Sequence, residues 1–218
     1  MSQQVQQHPA GYVGHDSRGH FVHYCHCGKW APFGYGARKG RLGEWFCGDH
    51  RREGPTPVIV TLSEIWLNKA IEAGKARQVY ARRSNLRHYG KAQHDAAADD
   101  ISGCIAEVAV AKHFRLPWKP NVGVIDAIDV GDKIEVRGRR VDSDGNKAGQ
   151  DLQIRPKDKD HLPYVYAEVN ADNTVRLVGW LYGQQGKGND KYWNAACKCW
   201  WNPPPFRPIS ELMGIIRP

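Results

Sequence analysis

Four residues, Cys25, Cys27, Cys47 and His50, constrain this chain more than any others. They stand as Cys-x-Cys, nineteen intervening residues, then Cys-x-x-His. Two short pairs of thiolate and imidazole donors form a tetrahedral zinc-ligand set, and four of them close a structural site. Gly28 follows the first pair and Gly48 lies inside the second, where glycine lets the backbone turn tightly around an ion. The stretch 29–46 has too few aliphatic residues to build a core alone. A bound metal contributes about 10 kcal/mol to folding in zinc-finger peptides, enough to organise such a stretch. His20, His23 and His26 crowd the first pair as rival donors, and free or disulfide-bonded cysteines are the other reading of the set.

At 218 residues, 41% of them hydrophobic, the chain has room for a small and a medium domain with a real core. Its formal net charge of +8 favours a polyanionic partner, most often nucleic acid. No apolar run is long enough to span a bilayer, so no membrane partner is expected. The first twenty residues lack the basic-then-apolar order of a signal peptide. A cytoplasmic protein is expected, in which Cys pairs more often bind metal than form disulfides.

The chain divides into a polar, disordered tail over 1–19, a zinc-binding module with its linker over 20–57, and a larger domain over 58–218. Gly54-Pro55-Thr56-Pro57 is the stiff linker. Thr61-Leu62-Ser63-Glu64 matches a capping box and predicts a helix running to about Arg83. Lys69, Lys75, Arg77, Arg82, Arg83 and Arg87 make that segment basic, a candidate phosphate-binding face for DNA. Asp99 and Asp100 are N-cap candidates for a second helix over 101–114, which Pro117 would end. The pattern then changes to strands over 122–130, 133–137, 152–155, 164–169 and 174–182, with a short helix over 210–215. The fold class is α+β (mixed α/β), with a central sheet flanked by helices.

Two places put acidic groups where packing alone would not. Glu107 has Gly103, Cys104, Val110 and Ala111 as its helical neighbours, a small apolar stripe suited to close approach to a sheet. A carboxylate there needs a cation, a metal or hydrogen bonds. Further on, Asp129 precedes Val130-Gly131-Asp132, a turn, and Glu135 and Arg137 share one face of the following strand. A tight turn would set Asp129 beside Glu135, a hard oxygen site fit for magnesium or manganese.

The order of helix Glu, strand-end Asp and Glu-x-basic resembles the PD-(D/E)xK, or restriction-endonuclease-like, nuclease superfamily. It is most similar to a phage-encoded branch that carries a Cys/His zinc module in front. The matching segments are Gly103-Cys104-Ile105-Ala106-Glu107-Val108-Ala109-Val110-Ala111-Lys112, Ile128-Asp129-Val130-Gly131 and Ile134-Glu135-Val136-Arg137, with Asp-Leu-x-Ile-Arg-Pro at 151–156 and Val178-Gly179-Trp180. The likeness spans roughly residues 58 to 215. It implies a restriction-endonuclease-like domain behind a zinc-ribbon-like module. It also implies Mg²⁺- or Mn²⁺-dependent hydrolysis of DNA, with Glu107, Asp129 and Glu135 at the metal and Arg137 stabilising charge on the phosphate. The location implied is the cytoplasm of a bacterial host. Ala106 stands where the branch often has Gly, and Ile128 where it has Pro. Arg137 replaces the motif lysine and cannot deprotonate a water; Lys133 or Lys157 would have to take that part.

Two other readings stay open: a catalytically inactive DNA-binding or adaptor protein on a nuclease scaffold, and a zinc-stabilised protein-interaction module that inhibits a host partner. The aromatic stretch Trp193, Trp200, Trp201 and Phe206 is either such a surface or core packing. Cys197 and Cys199 read as unligated thiols, and a homodimer is compatible with all three readings.

Overall fold

The computed structural model describes residues 13–15, 20–25, 29–31, 33–35, 44–46, 58–84, 93–124, 127–141, 151–204 and 206–216. In the N-terminal part, β1 (Val13–His15) pairs antiparallel with β2 (Phe21–His23), and β3 (Phe33–Tyr35) with β4 (Glu44–Phe46). β1 thus falls within the segment expected to be a disordered tail. Cys25 is buried, and its N–H donates to Lys29 O at 2.8 Å in the turn after β2. Cys27, Cys47 and His50 lie outside the described residues, as does Arg87.

The main domain opens with β5 (Val58–Thr61), a β-branched edge strand that the preceding linker masks in the sequence. Helix α1 (Glu64–Arg83) follows, with Ser63 at its N-cap and no side-chain capping bond. The expected capping box is not made, because Thr61 belongs to the strand. Helix α2 (Gln93–Phe114) starts eight residues before the expected boundary of Ile101. Asp99 and Asp100 are therefore interior residues, carried by three preceding alanines that favour helix over a cap. The helix stops three residues before Pro117, with Arg115 in the left-handed region.

Next come β6 (Glu135–Arg140), β7 (Leu152–Ile154), β8 (Pro163–Val169) and β9 (Thr174–Tyr182). The chain continues through α3 (Gly183–Lys187), β10 (Trp193–Asn194), β11 (Cys199–Asn202) and α4 (Ile209–Ile216). The central sheet has the order β5-β9-β8-β6, with β6 parallel to β8 and the other pairs antiparallel. A second, small sheet has the order β10-β11-β7. The fold is α+β.

β8 explains the layering. All seven of its residues are buried, because both faces of the sheet are covered. Val165, Ala167 and Val169 join the core made with α2 and α4, while Tyr164 and Tyr166 pack with Leu152, Ile154 and Phe206 on the other side. Phe206 is thus core, whereas Trp193 is exposed. Helix α2 lies tight against β6: a Cβ on Gly138 would sit 2.6 Å from Ala106 Cβ. Only glycine permits that approach. Cys197 and Cys199 form a disulfide across the β10–β11 connection, a correction to their reading as thiols. No helix among the described residues is long and apolar enough to cross a membrane.

Candidate functional site

The turn after Asp129 forms as its sequence implies, but among the described residues before it no strand is formed. Val130 bridges Trp118 and Ile134, and the described residues 122–124 and 127–129 of the expected strand over 122–130 are bends or coil. Gly131 and Asp132 both take left-handed conformations, and the backbone of Val130 exchanges two hydrogen bonds with Ile134. This tight reversal brings Asp129 back onto the start of β6. The Val136 N–H donates to Asp129 Oδ2 at 2.8 Å, and the Glu135 charge acts on the same carboxylate. Burial, and then the Glu135 charge, push Asp129 up to about 7; burial raises Glu135 as well, against the pull of Arg137. Two acids so placed share a proton unless a cation joins them.

Asp129, Glu135 and Arg137 line a cleft of about 450 Å³. Its other walls come from α1 (Arg77, Tyr80), α2 (Asp100), the coil at Asn121 and Gly123, and the loop that follows β7. That loop presents Arg155, Lys157, Asp158 and Lys159. Asp158 Oδ2 closes the loop on Arg155 N at 2.8 Å, and Lys187 of α3 ties it down through the carbonyls of Pro156 and Asp158 and the Asp160 carboxylate.

Arg137 does not reach openly into the cleft. Its Nη2 donates to Asp158 Oδ2 at 2.8 Å, its Nη1 lies 3.5 Å from Glu135 Oε2, and its Nε donates to Gln153 O. The guanidinium also lies over the Tyr164 ring, 4.9 Å from the centroid. It therefore braces Glu135 against the loop.

Glu107 is 3% exposed, within the completely buried span of α2. Arg77 grips it with two bonds, Nη1 to Oε1 at 2.6 Å and Nη2 to Oε2 at 2.8 Å, and Trp118 Nε1 adds a third at 3.0 Å. Burial pushes Glu107 upward and Arg77 opposes it; the bidentate geometry is that of an ionised pair. Among the described residues no group of three or more His, Cys, Asp or Glu side chains is arranged to hold a metal ion. Arg77 and Trp118 hold the Glu107 oxygens that were expected at the metal directly or through a water. Asp129 and Glu135 alone still fit a magnesium-type ion, which keeps several waters and takes one or two carboxylates.

Arg77 was expected on the DNA-binding face, yet it turns inward to Glu107. Lys69, Lys75, Arg82 and Arg83 are exposed on α1, with Lys69 over the Trp66 ring at 4.8 Å. Of the two substitute lysines, Lys133 is spent on Ile216 O at 3.0 Å, whereas Lys157 lines the cleft. Lys159 lines the cleft beside it. Lys159, Asp158 and Asp100 were not expected at the site, because no local spacing ties the 155–159 loop or the middle of α2 to the Asp129 turn.

In comparisons with known proteins, no family model, no curated protein and no solved structure matches the chain.

Proposed function

We propose that this chain is a metal-dependent nuclease that hydrolyses DNA phosphodiester bonds in the cleft beside β6, in the cytoplasm of a bacterial cell. One observation carries the reading: Asp129 and Glu135 form a half-buried acid pair, with Asp129 raised by burial and by the Glu135 charge, in a cleft walled by Arg155, Lys157 and Lys159. Acids face a divalent cation and basic groups face phosphate in such a site. Bound between Asp129 and Glu135, Mg²⁺ or Mn²⁺ would lower the pKa of a water and offset charge at phosphorus.

The chain's own residues divide the remaining work. Lys157 and Lys159 meet the phosphate from the loop, and Lys159 orients a water beside Glu135. Arg137 positions Glu135 through its hold on Asp158. Arg77 and Glu107 fix the seam of α1 and α2 behind the acids. A structural zinc on Cys25, Cys27, Cys47 and His50, together with Lys69, Lys75, Arg82, Arg83 and Arg87, would hold DNA by its phosphates.

The test is cleavage of single- and double-stranded DNA with Mg²⁺ or Mn²⁺. Asp129→Asn and Glu135→Gln should each lower it at least a hundredfold while keeping DNA binding, and Lys159→Ala about tenfold or more. Cleavage that survives both acid substitutions sinks the assignment. The second reading, an inactive DNA-binding adaptor, is favoured by the full engagement of Arg137 and Glu107 in ion pairs. It predicts salt-sensitive DNA binding with no cleavage under either metal.

A further inference from the structure

Strand alternation sorts the aromatic residues of β11 onto two sides. Trp200 pairs with Ile154, which is fully buried, and packs against Trp193 with ring centroids 4.6 Å apart and planes tilted by 58°. Trp201 pairs with Gln153 and faces the opposite side. There its indole N–H is already satisfied, donating to Cys197 Sγ at 3.0 Å, while its ring stays only half-buried. The Arg139 guanidinium lies beside that ring, 5.3 Å from its centroid. Arg139 is itself half-buried, at the far end of a row on one face of β6 that begins with Glu135 and Arg137.

That row links the two places. Glu135 and Arg139 are four residues apart on one strand, about 13 Å at the usual rise of about 3.3 Å per residue. A planar cation against an indole thus lies at the end of a track that starts at the acid pair. Guanidinium and indole planes both stack on nucleobases, and stacking needs a base that is not already paired within a duplex. The net charge of +8 suits a polyanionic strand.

We propose that Arg139 and Trp201 form a stacking subsite for one unpaired nucleobase of a single nucleic-acid strand threaded from the cleft; this rests on the nuclease reading of that cleft. The shared chemistry is an unpaired base on a phosphate backbone, from DNA or from RNA. The subsite gives the site a preference for single strands, frayed ends or flaps over intact duplex.

The test measures binding by anisotropy, with labelled oligonucleotides of about twelve residues, in line with the site sizes of such surfaces. The buffer contains no added divalent ion, so the readout does not depend on cleavage. DNA and RNA of one sequence are compared with the corresponding duplex. Trp201→Ala should weaken single-strand binding about tenfold and leave duplex binding unchanged, while Trp201→Phe retains most of it. Arg139→Gln should weaken it in the same sense. A scan with a single abasic site, which removes a base but keeps its phosphate, should find one position that costs the wild type about tenfold. The same position should cost Trp201→Ala nothing.

Loss with either DNA or RNA supports the subsite, and the stronger of the two names the source. Equal binding of every abasic oligonucleotide by the wild type overturns it, as does an unchanged affinity in both Trp201→Ala and Arg139→Gln. Should Trp201→Ala fail to fold, Arg139→Gln and the abasic scan on wild type decide alone. Stacking without any cleavage would fail the nuclease reading and keep the subsite. Cleavage with no stacking position would do the reverse.

Discussion

At the scale of single residues, the acid pair makes a signed pH prediction. Asp129 sits at about 7 in the folded chain, well above an ordinary aspartate. Between about pH 4 and 7 the folded state therefore holds a proton that the unfolded chain has released. Stability from this group falls as pH rises through that window, and the penalty is complete above about 7. In buffer without divalent ions, Asp129→Asn should gain Tm relative to wild type as pH rises from about 4 to 8. Added Mg²⁺ or Mn²⁺ should raise the wild-type Tm above pH 7 and leave the variant unmoved. Thermal melts across pH check both, and a flat difference between the two proteins would refute the pairing. Arg77 and Glu107 carry a second prediction. Removing one member strands a buried charge, so Arg77→Met should cost about 3–5 kcal/mol. Arg77→Met with Glu107→Leu should recover much of that loss in a denaturation cycle. The thiol of Cys104, pushed up to about 12 chiefly by burial in the same core, should resist alkylation until the chain unfolds.

At the scale of elements, the site depends on how closely α2 lies against β6 and on how firmly the 155–159 loop is held. Gly138 has no room for a methyl group, with Ala106 Cβ 2.6 Å and Ser102 O 3.0 Å from where it would sit. Gly138→Ala should push helix and strand apart and cost about 1–3 kcal/mol in denaturant unfolding. Because the same strand carries Glu135 and Arg137, cleavage should fall by more than stability alone explains. The helix stripe of small residues announced this close contact, and the Gly-Asp turn announced the return of Asp129 to Glu135. Helix α1 and strand β9 were also legible, since their periods and flanking turns agree with their final surroundings. Strand β5 was not: its four residues follow a proline-rich linker and gain their structure only by pairing with β9. The start of α2 was missed because Asp99-Asp100 imitates a cap, while the run of alanines before it carries the helix through.

At the scale of the whole molecule, net charge and metal content give the remaining prediction. Protein purified without added metal should carry about one equivalent of zinc by element analysis, and Cys47→Ser should lose it. The 58–218 domain should stay folded in that variant, as its core of α2, α4 and the β5-β9-β8-β6 sheet draws on its own residues. Zinc retained in full by Cys47→Ser would exclude the ligand set. The sequence by itself determined the α+β class, the period of most elements and the local chemistry of each acidic segment. Those properties follow from backbone geometry within a few residues. Only the tertiary structure decided which charges meet. It turned Arg77 from a surface cation into the partner of Glu107, thirty residues away. It spent Lys133 on the end of α4, bound Arg137 to Asp158, and set Lys159 and Glu135 in the walls of one cleft. Side-chain ion pairing acts over a few ångströms in space, and distance along the chain does not encode which residues the packed elements bring within that range.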